Sequence, residues 1–172
     1  GNKKYIWVNI VDQEQSKASS KVVNGKEYTV ALKSDGTIWG FGNINGENSP
    51  EKIETPEEII DISSGISHVL ILGKSGTVYT MGTNAKGELG TGNTIAHNVP
   101  KAINLKSIAK VIAVGSTSYA VSEDGKIYAW GNGHTKVPSE INVAINFEEK
   151  IGEKLDQISL GLDYALILGK SG

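Results

Sequence analysis

The chain has 172 residues, with 17 lysines, 19 acidic residues, no cysteine and a net charge of −2. This balance lacks the basic surface typical of proteins that bind nucleic acid or anionic lipid, and without arginine the chain has no side chain for bidentate phosphate or guanine recognition. The absence of cysteine excludes disulfides, thiol catalysis and Cys-based metal sites. No apolar run approaches the roughly 20 residues that span a bilayer, so we expect no membrane span.

One sequence template occurs four times along the chain. Its copies lie at 25–36, 65–76, 115–125 and 161–172. A second shared stretch ending in glycine follows each of the first three copies, as in 37–42. A repeat of 40 to 50 residues indicates a solenoid, a propeller or an array.

The repeats divide the chain into whole and half units. Residues 4–9 align with 127–132, the back half of a unit. We therefore assign, in chain order, a half unit at 1–11, a solvated linker at 12–21, units at 22–61, 62–110 and 111–157, and a front half at 158–172. The extra length of the third unit lies around 142–154, where we expect either a tolerated surface loop or an ordered insertion with a function.

Unit 62–110 shows the strand pattern most clearly. Its four predicted strands cover 62–64, 68–72, 77–81 and 100–103. The continuous apolar run at 68–72 indicates a strand covered on both faces, and the proline that opens the last strand suits an outer edge. Four short strands without an amphipathic helix form a blade that must be stacked on others around an axis. We predict an all-β propeller of four-stranded antiparallel blades with about four repeats, forming a partial or small ring.

Large side chains recur at two positions of the repeat. Trp39, Tyr79 and Tyr128 share the first position, and the second, two residues later, holds Phe41, Met81 and Trp130. Residues two apart on a strand lie on the same face, so we predict that both sets pack between blades as core.

These residues resemble the repeats of the regulator of chromosome condensation family. The hallmark combines Gly-x-x-His, Asp-Gly, an aromatic-x-Trp-Gly stretch and Asn-x-x-Gly-x-Leu-Gly; Gly65, His68 and 84–90 match it in the second unit, and 124–132 in the third. The family histidine is replaced by Tyr28 in the first unit, by either Ser118 or Tyr119 in the third, and by Tyr164 in the last. The third unit looks like the secreted bacterial branch, to which a β-lactamase inhibitor protein belongs.

The resemblance implies a ring-shaped propeller. Full-length family propellers resemble seven-bladed rings, and four units cannot complete such a ring. The chain is expected to be a piece of a larger ring, a four-bladed ring closed by its two halves, or half of a ring made by two copies. Open blade edges would favour self-association.

Catalytic and metal-binding patterns are not found in the sequence. The three histidines, His68, His97 and His134, lack metal-ligand spacing, and no G-x-S-x-G motif occurs. We expect no enzyme activity, no cofactor and no metal.

The favoured function is a non-catalytic module that presents loops to a protein partner, as part of a larger bacterial protein that is secreted or at the cell surface. The candidate contact residues follow the inner hairpins: Asn43, Asn45, Asn84, Lys86, Asn132 and His134. One alternative is carbohydrate binding at a cell surface. Another is guanine-nucleotide exchange or chromatin binding, as in the founding member of the family.

Overall fold

A computed structural model describes residues 20–44, 46–141, 155–160 and 165–169, which form fourteen strands and no helix. The first blade contains β1 (Lys21–Asn24), β2 (Tyr28–Leu32), β3 (Ile38–Gly42) and β4 (Glu47–Ile53). The second contains β5 (Ile59–Ser64), β6 (His68–Gly73), β7 (Val78–Gly82) and β8 (His97–Ala102). The third contains β9 (Ile108–Val114), β10 (Thr117–Ser122), β11 (Ile127–Gly131) and β12 (Ser139–Glu140). A further hairpin pairs β13 (Leu155–Leu160) with β14 (Ala165–Gly169).

Each of the three blades is an antiparallel sheet whose strands follow chain order, which confirms the predicted all-β class and the four-stranded blade. The half unit predicted at 1–11, most of the linker at 12–21 and the insertion at 142–154 lie outside the described residues. The unit limits at 22–61, 62–110 and 111–157 stay a prediction, since a repeating chain can be divided at any phase of the repeat.

The first strand of every blade is the inner one. β1 contacts β5, β5 contacts β9, and β9 contacts β13, whereas β4, β8 and β12 lie at the opposite edges of their sheets. Inner strands that meet one another around an axis are characteristic of a propeller.

The outer strands carry prolines where their pairing is irregular. β8 begins at His97, which pairs with Gly82, rather than at the predicted Pro100. A register shift between Thr80 and Gly82 leaves 98–100 out of the regular ladder. Pro50 lies in the corresponding shift of β4. A residue without an N–H is tolerated at these positions, and it discourages pairing with another strand.

The core consists of two apolar layers, one on each face of the second blade. Val69 and Ile71 belong to the layer shared with the first blade, and Leu70 and Leu72 to the layer shared with the third. Every residue of β6 is buried, as the unbroken apolar run predicts. Since a fully buried aliphatic side chain contributes about 1.5–3 kcal/mol, stacking of the blades supplies most of the apolar stabilisation seen here.

The recurring large side chains occupy equivalent places. Trp39, Tyr79 and Tyr128 lie opposite Ala31, Ile71 and Ala120. Tyr79, Met81 and Trp130 are buried, as predicted for core residues. Trp39, Phe41 and Tyr128 are only half-buried. Tyr128 still packs against the layer between the second and third blades, as predicted. Trp39 and Phe41 belong to neither core layer, and they lie on the face of the first blade opposite to Leu32 and Ile38, which pack toward the second blade.

Hydrogen bonds between turns link consecutive blades in the same manner. The Lys26 N–H donates to the Ile66 carbonyl and the Ile66 N–H to the Gly115 carbonyl, both at 2.8 Å. We call this end of the blades the loop face, because the loops between third and fourth strands also emerge there. The opposite end, the turn face, carries the turns between second and third strands. There the Lys74 N–H donates to the Glu58 carbonyl at 2.9 Å.

Candidate interaction surface

The loops between third and fourth strands hold all six candidate contact residues. These loops cover 43–46, 83–96 and 132–138. Lys86, Asn132 and His134 are exposed. Asn43 is exposed too; its side chain donates to the Glu27 carboxylate, and its N–H donates to the Glu27 carbonyl at 3.0 Å. Asn45 lies outside the described residues.

Asn84 supports its loop from within instead of facing solvent. The residue is 1% exposed, and its Nδ2 lies 3.1 Å from the carbonyl oxygens of Asn93 and Ile95. Its Oδ1 accepts the Leu89 N–H at 2.9 Å. An amide has both donors and acceptors, so one side chain closes the loop from two directions. The prediction that Asn84 contacts a partner is therefore corrected. Its buried side chain shapes the loop but is not part of the exposed surface.

The loops of the second and third blades are packed together. The Gly92 N–H donates to the Lys136 carbonyl at 2.8 Å. Gly87 and Gly90 have positive φ angles, and a Cβ atom at Gly87 would lie 2.7 Å from the Lys136 Cγ. Glycine is needed at Gly87 both for its backbone conformation and for this close approach. The two loops thus form one preorganised surface.

Beneath these loops a buried hydrogen-bond network joins the second and third blades. The Glu88 carbonyl accepts the Ser118 hydroxyl and the Trp130 indole N–H, each at 2.8 Å. The His68 Nε2 lies 2.9 Å from the Ser118 Oγ. Because the Ser118 proton is given to Glu88, the His68 Nε2–H is the donor to Ser118, an assignment that follows from the bonding pattern.

The His68–Ser118 pair resembles a nucleophile and its base only in composition. Both residues are buried, at 1% and 0% exposure, and the serine proton points away from the histidine. Burial lowers the pKa of His68 from 6.5 to about 4, so the imidazole is neutral at pH 7. The pair therefore holds two blades together and does not activate a nucleophile.

The strand register identifies the third blade's equivalent of His68. Tyr28 lies opposite Gly42, His68 opposite Gly82 and Thr117 opposite Gly131. The expected alternatives, Ser118 and Tyr119, were both wrong, because the turn after Gly115 is one residue shorter and shifts the alignment. The Thr117 hydroxyl donates to the Asn132 carbonyl at 3.0 Å.

Tyr28 links the first and second blades at the family's histidine position. Its hydroxyl lies 2.6 Å from the His68 carbonyl oxygen and 3.0 Å from that of Gly65. Burial raises the pKa of Tyr28, so the hydroxyl keeps its proton as a donor. Sequence patterns alone did not reveal this contact, which joins residues 40 positions apart.

Two further features complete the described surface. The rings of His134 and Tyr119 meet edge-on, with centroids 6.0 Å apart, which orients His134 on the loop face. At the outer rim, a shallow groove of about 540 Å³ runs between β4 and β8, with Ile53 and Val99 among its lining residues. Sequence patterns did not indicate this groove, because its walls come from different blades.

Neither a metal-binding cluster nor a membrane-spanning helix is found in the described part of the chain. Within it, no three His, Cys, Asp or Glu side chains are grouped closely enough to hold a metal ion. None of its segments forms a helix that is long and apolar enough to cross a membrane.

Four-stranded antiparallel blades with their first strands innermost define the chain as a β-propeller repeat protein. Family models described as the Regulator of chromosome condensation (RCC1) repeat match residues 59–88 and 75–121. The chain belongs to this repeat family. Its likeness to the secreted bacterial branch stays a prediction.

Related sequences are longer than this chain. The human E3 ubiquitin-protein ligase HERC2 is 31% identical over 167 residues, which are 90% of this chain and 3% of the ligase. The human Regulator of chromosome condensation is 27% identical over 137 residues, which are 77% of this chain and 31% of that protein. This chain thus spans less than a third of either relative.

Solved structures agree on the fold. Human WBSCR16 superposes with a TM-score of 0.75 and 17% identity, over 92% of this chain and 47% of that one. Yeast RCC1 (Prp20), solved with Kap60, gives a TM-score of 0.74 and 18% identity, over 88% of this chain and 40% of that one. At these identities the likeness establishes architecture alone.

Proposed function

We propose that this chain is a non-catalytic protein-interaction scaffold whose blades present variable loops to a protein partner, as part of a larger bacterial protein. The observation that carries the proposal is a contrast within the repeat. The blades share their strand register and the bonds between their turns, whereas the loops at 43–46, 83–96 and 132–138 differ in length and sequence. A constant framework with variable loops is typical of binding scaffolds.

The structural role of the potentially reactive His68 and Ser118 supports binding without catalysis. His68 and Ser118 are buried and bonded between blades. The ligase activity in the name of HERC2 belongs to a protein of which this chain matches only 3%, so we do not propose ligase activity for this chain.

A second candidate follows from the likeness to the human Regulator of chromosome condensation. Prp20p from Saccharomyces cerevisiae has been described with its binding to Gsp1p and histones. A role of this kind would also use a propeller surface as a docking site, but this chain lacks the arginines that suit bidentate recognition of phosphate or guanine. Nucleotide release from a small GTPase, measured with this chain added, would be unchanged under our first proposal.

Self-association belongs to the proposal as well. Pro50 and Pro100 make the outer edges unsuited to strand pairing, so the blade face that carries the half-buried Trp39 and Phe41 is the better contact. Sedimentation velocity should show a concentration-dependent dimer that Phe41→Asp abolishes. A monomer at every concentration would exclude this contact.

The proposed setting is the outside of a bacterial cell, either secreted or at the surface. Its support is the resemblance of the third unit to the secreted bacterial branch of the family, and a chain without cysteine would tolerate an oxidising compartment. Fractionation of the source organism would test it.

Partner capture tests the scaffold directly. The chain would be immobilised, and proteins retained from the source organism would be compared with those retained by Asn132→Ala/His134→Ala. The matched control is Asn104→Ala/Lys106→Ala, which changes exposed residues outside the loop face. We expect the loop variant to lose a specific partner that the control keeps. Equal capture by both variants would defeat the assignment of the binding surface.

A further inference from the structure

The described lysines differ in whether a carboxylate neutralises them. On the turn face Lys33, Lys74 and Lys126 each lie within 4.0 Å of a carboxylate, on Asp35, Glu58 and Asp124 respectively. On the loop face Lys86 and Lys136 form no ion pair with any residue that the structure describes. Lys26, Lys101 and Lys106 also form no ion pair with a described residue. Lys86 and Lys136 differ from these three because their two loops are packed against each other.

The backbone holds these two lysines at the same place on the loop face. The Lys136 side chain packs on Gly87, the residue after Lys86, and the Gly92 N–H binds the Lys136 carbonyl. Asn84 braces the same loop internally. A surface already ordered before binding loses little conformational entropy when a ligand arrives.

Glu88, the acid in the loop of Lys86, does not neutralise the pair at the surface. Glu88 is 3% exposed, and its Oε2 accepts the Lys86 backbone N–H at 2.7 Å. The carboxylate is thus directed into the loop, while both lysine side chains remain exposed.

Apolar side chains accompany the lysines. Ile95 is 71% exposed and Val137 46% exposed, the first in the loop of Lys86 and the second next to Lys136. Exposed aliphatic side chains beside unpaired cations form a surface that matches a ligand with negative charges and apolar groups.

We propose that Lys86, Lys136, Ile95 and Val137, here called the lysine loop surface, dock an acidic segment of a protein partner that also carries an aliphatic side chain. This inference rests on the proposed scaffold function and adds the chemistry of its partner. Nucleic acid is the poorer match, because the chain has no arginine, its net charge is −2, and the described loops carry no Phe, Trp or Tyr for base stacking.

The test measures binding of a fluorescein-labelled peptide rich in glutamate that contains two leucines, by fluorescence anisotropy at low salt. Lys86→Glu/Lys136→Glu should weaken binding by about tenfold or more, and Lys86→Met/Lys136→Met by less, because only the charge is removed. The matched control, Lys33→Glu/Lys74→Glu, reverses two charges on the turn face and should change affinity by less than about twofold. Circular dichroism verifies that every variant is folded.

The outcomes separate this inference from the proposed function. No saturable binding of the peptide, equal losses in both charge-reversed pairs, or tighter binding of a single-stranded DNA of the same charge would overturn the acidic-segment proposal. If partner capture still depends on Asn132 and His134 in that case, the scaffold function stands. Selective loss in Lys86→Glu/Lys136→Glu supports the lysine loop surface even if capture proves independent of those two residues.

Discussion

The Nε2 of His68 lies 2.9 Å from the Oγ of Ser118, across the contact between the second and third blades. Ser118 in turn donates to the Glu88 carbonyl, which also accepts the Trp130 indole N–H. Two blades and one loop therefore meet at a single buried carbonyl oxygen. An unsatisfied buried polar group costs about 1–3 kcal/mol, so these contacts are mutually dependent.

Acid should weaken the fold through His68. Burial lowers its pKa from 6.5 to about 4 in the folded chain, so between these pH values the unfolded chain binds a proton that the folded chain does not. The free energy of unfolding should therefore fall as pH decreases through this window, by up to about 1.4 kcal/mol per pH unit. Above pH 6.5 the contribution of His68 to the free energy of unfolding should no longer change with pH. Urea denaturation at a series of pH values measures this slope.

His68→Gln is the control, because its amide N–H still reaches Ser118 but does not titrate. Its stability should change less than that of the wild-type chain over the same window. His97, whose pKa burial also lowers, is present in both chains and cancels in the comparison. Parallel pH profiles for the two chains would show that His68 is not the responsible group.

Tyr28→Phe should destabilise the contact between the first and second blades. The change removes the hydroxyl that reaches the His68 and Gly65 carbonyls, so a loss of about 1–2 kcal/mol is expected from thermal or urea unfolding. Tyr128→Phe is the matched control, since that half-buried residue's hydroxyl has no hydrogen bond with any described residue. Equal effects of the two substitutions would mean that the Tyr28 hydroxyl contributes nothing specific.

Asn84→Ala should loosen the loop at 83–96 while leaving the blades intact. The substitution removes the acceptor for the Leu89 N–H and the donor to the Asn93 and Ile95 carbonyls. Hydrogen exchange at Leu89 should accelerate, and the free energy of unfolding should fall by about 2 kcal/mol. Thr94→Ala, in an exposed part of the same loop, should leave both quantities unchanged. Unaltered exchange in Asn84→Ala would contradict the bracing role.

Gly82→Ala should be far more costly than Gly133→Ala. Both glycines have positive φ angles, which cost an alanine about 1–2 kcal/mol. At Gly82 the added Cβ would also lie 2.5 Å from the Ser67 carbonyl oxygen, whereas at Gly133 nothing lies within 4 Å. Denaturation midpoints of the two variants measure the difference. Similar midpoints would show that the Gly82 backbone can move aside.

The blade framework could be predicted from sequence because it depends on local patterns. The unbroken apolar run at 68–72 indicated a strand buried on both faces, and β6 is buried throughout. The outer strand was placed too late, since the bulge that accommodates Pro100 depends on pairing with β7.

The loop face was less accessible to sequence reasoning because its contacts join distant residues. Asn84 looked like a surface residue of a Gly-rich and Asn-rich loop, yet it lies inside that loop. The assignment of the histidine position to Thr117 required the strand register, because a deletion of one residue leaves the hydrophobic pattern almost unchanged. Trp130 and Glu88 are 42 positions apart, and no local signal connects them.

Because the second blade shares an apolar layer with each neighbour, it governs how the chain loses its structure. In a linear series of such contacts, stability is a sum over neighbouring units, so damage at an end should unravel one unit at a time. Damage to the middle sheet severs both contacts together. A force applied to the two ends would then produce a stepwise extension in the intact chain and a single rupture when the middle sheet is weakened.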